Sequence, residues 1–193
     1  MPREPLTDLP PDEQDVPLTL AIAWSEAVVR QIAVAQSAQT EYNNAISAAD
    51  RADDWSPTDD AIHERFRNMW TSHSTLVWMS FQLEKWNTRL HAERNRDVPP
   101  SVPLLRELRN TLEHLDEAIL CDFCARPGAD PKANRSLREL PDSELPIGSH
   151  GKGSKLFGLV ALDEIEQTAS HLLNAIAAEI DEYCADRYAD LHD

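Results

Sequence analysis

With 193 residues, 41% of them hydrophobic and no apolar run near the ~20 residues that span a bilayer, the chain reads as one soluble domain with a sizeable core, not a disordered or membrane-spanning protein. A formal charge of −16, from 34 acidic against 18 basic residues, argues against a general nucleic-acid coat, and DNA binding is not expected, although a local basic site is still allowed. The N-terminus lacks the apolar core of a signal peptide, and three cysteines make no disulfide framework, so the expected setting is the reducing cytoplasm.

Residues 1–17, with Pro2, Pro5, Pro10, Pro11 and Pro17, read as an extended, poorly ordered leader. One helical domain follows over 18–193. Its first helix is expected over about 18–49, where Leu18, Ile22, Val28, Val29, Ile32, Ala35, Tyr42 and Ile46 recur at three- and four-residue steps. Pro57 disfavours helix at Ser56, and Thr58 or Asp59 suits the cap of a second helix reaching about residue 95. Its stripe is Ile62, Phe66, Met69, His73, Leu76, Ser80, Leu83 and Leu90. At roughly 55 Å it outruns a typical globular helix, which points to a kink or an overhang onto a partner.

A third helix is expected from near Ser101, with Pro103 in its first turn. Leu104, Leu105, Leu108, Leu112, Leu115 and Ile119 give it the cleanest stripe in the chain. Residues 122–154 break the pattern with prolines and glycines and read as a long inserted loop. Arg126, Lys132, Arg135, Arg138, Lys152 and nearby Lys155 give this region a basic excess that suits RNA or an acidic partner surface. A short strand fits 155–160. A fourth helix starts near Asp163, with Ile165, Ala169, Leu172, Ile176 and Ile180 on one side. The fold class that follows is all-α, a four-helix bundle with a long loop between the third and fourth helices.

The polar side of the third helix carries Arg109, Asn110, Glu113 and His114. Counted at 100° per residue from the leucine stripe, these lie between about 90° and 230° and share one ribbon. Arg109 can meet Glu113, and Asn110 can meet His114, one turn on. A guanidinium that grips phosphate and an imidazole that titrates near neutrality suit work on a phosphodiester. A ribbon on one helix is not a cleft, and two copies facing each other across a two-fold axis would make one.

Arg109-Asn110-(x)3-His114 on the third helix resembles the signature of the HEPN superfamily. The resemblance covers roughly residues 18–190, and its specific part is those three residues. It implies a homodimer whose facing arginines and histidines form a metal-independent, cofactor-free endoribonuclease site, in a toxin or defence setting with a neutralising protein partner. His114 would then move protons, Arg109 would contact the scissile phosphate and Asn110 would support them. Lys152, Lys155, Arg135 and Arg138 are the candidate substrate-binding cations. The toxin branch often has a tyrosine two residues beyond the histidine, where this chain has Asp116, so a partner that modifies that tyrosine would find no target. The runner-up function is a non-catalytic interaction or ligand-binding module on the same polar ribbon.

Other motifs read more plainly. In Arg67-Asn68-(x)4-His73 the histidine falls on the apolar stripe, as a core histidine does. Cys121-Asp122-Phe123-Cys124 would need Cys184 and His150 to complete a zinc site, and placed at a helix C-terminus it suits two reduced thiols. No Glu-x-x-His pair marks a di-iron bundle. The 148–154 glycine cluster departs from a phosphate loop at both key positions and reads as a flexible loop. Trp70, Trp78 and Trp86 each rotate about 80° from the last, so they suit core or dimer contacts better than one stacking platform.

Overall fold

The apolar stripes fold as helices. In the computed structural model, which describes residues 5–6, 15–51, 56–147 and 155–190, α1 spans Val16–Asp50, α2 Asp59–Glu93 and α3 Leu105–Glu113. A 3-10 turn at Leu115–Glu117 leads to strands β1 (Ile119–Cys121) and β2 (Cys124–Arg126), then α4 (Arg135–Glu139) and β3 (Leu145–Pro146). Strands β4 (Lys155–Leu156) and β5 (Val160–Ala161) precede α5 (Leu162–Asp190). The chain is predominantly helical with few, short strands.

Capping fixes where the long helices begin. The Asp15 carboxylate accepts from the Leu18 N–H at 3.1 Å, and the Thr58 hydroxyl accepts from the Ala61 N–H at 3.3 Å. Asp59 and Asp60 add negative charge where the dipole of α2 favours it. Helix α1 lies along α2 and also meets α5, while α3 packs on α2 and α4. Leu18, Val28 and Ile32 of α1, Leu76, Leu83 and Leu90 of α2, Leu105 and Leu108 of α3, and Ile165, Leu172 and Ile176 of α5 share one buried core. His73 sits inside it, edge-on to Phe157 at 5.8 Å. Burial holds its imidazole below the ordinary histidine pKa, against the opposing pull of a hydrogen bond to the Ala35 backbone.

Helix α1 is long and apolar enough, by length and composition alone, to cross a membrane. Counting unbroken apolar runs misses this, because its apolar residues are spread among small polar ones. In the fold it serves as a core helix, with Leu18, Ala21, Val28, Ile32 and Ala35 buried.

Of the expected leader, residues 1–4 and 7–14 lie outside the described residues, and Leu6 is 1% exposed. Its N–H donates to Glu179 Oε2 at 2.6 Å, and its carbonyl accepts from Arg94 Nε. Arg94 also pairs with Asp15, and Arg96 with Glu179 at 2.5 Å, so two arginines beyond α2 tie Leu6 to the start of α1 and to the body of α5. Helix α3 is much shorter than its leucine stripe. Leu104 takes a left-handed φ of 62° just before it, which turns the chain so that Val102 and Leu105 both enter the core. The Val102 N–H is received by Glu84 at 3.0 Å.

A further correction concerns the inserted loop, whose described residues, 122–147, carry short strands and a short helix. Strands β1, β2 and β3 form a small antiparallel sheet, with Cys121 opposite Cys124. The Cys-x-x-Cys motif therefore brackets a hairpin turn and does not end a helix. A hydrogen bond that the Cys124 thiol donates to Glu144, then burial, raises the thiol above its ordinary pKa, so it is not an activated thiolate. Cys184 is exposed on α5. Among the described residues no three His, Cys, Asp or Glu side chains gather as a metal site, and His150 lies outside those residues.

The two residues of that turn, Asp122 and Phe123, have φ of 49° and 59°. Such a turn wants Asn or Asp and then Gly, and a phenylalanine with positive φ is strained. Phe123 is also 77% exposed, so its ring contributes little burial. Phe123→Gly is expected to raise stability by about 1 kcal/mol, seen as a higher urea midpoint at unchanged slope. An unchanged or lower midpoint would show that the ring repays its strain.

Candidate functional site

The polar ribbon of α3 is one wall of an open groove of about 360 Å³, lined by Arg109, Asn110, Glu113, His114, Glu117, Lys132, Asn134, Arg135 and Ser136. The other wall is the chain's own segment from Lys132 to Ser136. The cleft expected only from two facing copies is thus present within a single chain. It brings together the predicted Arg109, Asn110, His114 and Arg135. Arg138 lies outside the lining: its Nη2 donates to the carbonyls of Gly128 at 2.8 Å and Asp130 at 3.1 Å, stapling the loop. Lys155 is exposed on β4 and is not part of the groove. Lys152 lies outside the described residues.

Arg109 and His114 each have a carboxylate of their own. Arg109 Nη2 meets Glu113 Oε1 at 2.5 Å, its Nη1 donates to Asn110 Oδ1 at 2.9 Å, and its guanidinium covers the Phe81 ring at 4.9 Å. Nε is buried without a hydrogen-bond partner. The expected Asn110–His114 contact is replaced by Asn110–Arg109. An incoming phosphate must therefore take Glu113's place on the fork. Glu113→Gln is expected to tighten binding of inorganic phosphate by roughly 3- to 10-fold, read by NMR titration, with the gain shrinking as salt rises. Unchanged or weaker binding would mean that phosphate does not reach Arg109.

His114 closes α3 with φ −111° and ψ 25°, so helical projection ends there. Its Nδ1 lies 3.1 Å from Glu117 Oε1, and the imidazole is 57% exposed. Glu117 Oε2 accepts from the Asn134 N–H at 2.6 Å. That backbone donor first, and then His114, holds the Glu117 carboxyl below its ordinary pKa. The contacts thus act in full above the ordinary carboxylate range and are lost as the pH falls through the lowered value.

Asn134 is the residue that joins the two walls. It is 3% exposed with φ 36°. Its Nδ2 donates to the carbonyls of Thr111 at 3.2 Å and His114 at 2.9 Å, and its Oδ1 caps α4 by accepting from the Leu137 N–H at 3.2 Å. Neither Asn134 nor the use of Glu117 as an anchor follows from helical periodicity. The available signals were an asparagine ahead of a short helical stretch and a His–Glu spacing of three. Lys132, expected only as part of the basic excess, lines the groove. Compared with protein-family models, with curated proteins and with solved structures, the chain matches none.

Proposed function

We propose that this chain is a metal-independent endoribonuclease of the HEPN type, acting in the groove between α3 and the 132–136 segment. In this reading α1, α2, α3 and α5 are the four helices of a HEPN-like bundle. A homodimer supplies a second Arg109–His114 set, and the toxin or defence setting with a neutralising partner follows from the same resemblance. The single observation that supports the reading best is that Arg109, Asn110 and His114 share one groove with Lys132 and Arg135.

In the proposed reaction the RNA 2′-hydroxyl attacks the adjacent phosphorus. His114 takes the hydroxyl proton, the protonated His114 of the second set in the proposed dimer gives a proton to the leaving 5′-oxygen, and a 2′,3′-cyclic phosphate remains. Arg109 stabilises the charge gathering on the phosphoryl oxygens, and Lys132 and Arg135 hold neighbouring phosphates. Neither proton transfer nor charge neutralisation by these side chains calls for a metal.

The test is incubation with varied RNAs in chelator, followed by end-group analysis. Cleavage leaving cyclic phosphate and 5′-hydroxyl ends supports the proposal. A folded protein that cuts no RNA would shift the reading to a non-catalytic interaction module. That second reading is favoured by the exposed Ile119, Leu120 and Phe123 on the β1–β2 hairpin.

A further inference from the structure

His114 has one ring nitrogen engaged and one not. Nδ1 meets Glu117 Oε1 at 3.1 Å, and Nε2 has no protein partner among the described residues. Glu117 cannot swing away freely, because its other oxygen is held at 2.6 Å by the Asn134 N–H. Asn134 is fixed in turn by its two bonds to the end of α3 and its cap on α4. A carboxylate can only accept, so the nitrogen that faces it must carry the hydrogen. Free histidine in water prefers its hydrogen on Nε2, so this contact works against the intrinsic preference. An ionised Glu117 is what the lowered carboxyl pKa provides at neutral pH.

We infer that Glu117 is a positioning residue for His114: it holds the ring with hydrogen on Nδ1 and leaves the Nε2 lone pair facing the groove as its proton acceptor. The catalytic consequence rests on the ribonuclease reading; the tautomer does not. The other charged groups lining the groove with the imidazole are Arg109 and Glu113 on α3 and Lys132 and Arg135 on the opposite wall, with Asp130 acting on Glu117; Asp116 is its neighbour in sequence. Among the described residues only Glu117 bonds to a ring nitrogen of His114. Lys132 and Arg135 line the same groove and offer hydrogen-bond donors only.

The experiment is nitrogen NMR of the His114 imidazole in the full chain, at a pH where the ring is neutral. The wild type is expected to show hydrogen mainly on Nδ1, and Glu117→Gln to shift the population towards Nε2. Glutamine has one oxygen where glutamate has two, so if that oxygen stays on the Asn134 N–H, its NH2 group faces His114 Nδ1 and donates to it. A wild-type ring with hydrogen on Nε2 overturns the inference outright, whatever the variant does, and so does a population that Glu117→Gln leaves unmoved. In RNA cleavage, Glu117→Gln is expected to lower kcat by roughly 10- to 100-fold with KM little changed, as removing an orienting carboxylate from a base does. A shifted tautomer with unchanged kcat would overturn the catalytic part alone. If the wild type cleaves nothing, the ribonuclease reading fails while the tautomer result still decides the role of Glu117.

Discussion

Asn134→Ala is expected to cost about 3–5 kcal/mol of folding stability, a large share of what a domain of this size has. Three losses combine. The cap of α4 goes, typically about 1 kcal/mol. The carbonyls of Thr111 and His114 lose their amide donor, and the buried one at Thr111 is left to pay roughly 1–3 kcal/mol. Alanine must also adopt a φ of 36°, which asparagine tolerates better, for about 1 kcal/mol more. Asn134→Gly removes the last contribution and should recover close to 1 kcal/mol of the loss. Urea unfolding measures all of this as a lower midpoint. A drop of under about 1 kcal/mol for the alanine variant would mean that water replaces the amide and that the two walls are joined by something else.

His114→Ala is expected to lower RNA cleavage by roughly 10²- to 10⁴-fold, the usual contribution of a positioned acid–base group. Because the imidazole is 57% exposed, stability should change by no more than about 0.5 kcal/mol, which makes this the clean test of chemistry. Arg109 is different. Its guanidinium packs on Phe81 and its Nε is buried, so Arg109→Ala is expected to cost about 1 kcal/mol of stability as well as activity. Arg109→Lys keeps the charge but loses the fork, and a 10- to 100-fold fall in cleavage is expected from it. Single-turnover rates on one RNA check all three. Equal rates for wild type and His114→Ala would identify the activity as a contaminant and remove the ribonuclease reading.

The long helices were legible because each gives its period many turns in which to show. The stripe from Leu18 and the cap expected at Thr58 or Asp59, found at Thr58, place α1 and α2 within a few residues of their ends. The third stripe misled for a physical reason. Leu112 and Leu115 are only partly buried and Ile119 is 54% exposed, so little is gained by continuing the helix. Asn134, meanwhile, takes up the carbonyls of Thr111 and His114 that the next helical turn would have used. Helical periodicity reads one element at a time and is blind to a competitor 20 residues away. For the same reason Arg109, Asn110 and His114 could be placed on one ribbon by arithmetic, while the opposite wall could not. Strands of two and three residues leave no pattern in a Pro- and Gly-rich stretch, and Asp122-Phe123 carries no glycine to announce its turn.

Every residue lining the groove falls between Arg109 and Ser136. The bonds that close it join residues 17, 20 and 23 positions apart, so the loops they shut are short and cost little chain entropy. The site is thus a cassette set between α2 and the start of α5. Such a unit can open and reclose locally, with its amides exchanging as a group, while α1, α2 and α5 stay folded beneath it. Substitutions far along the long helices would then alter how long the protein lasts more than what the groove holds.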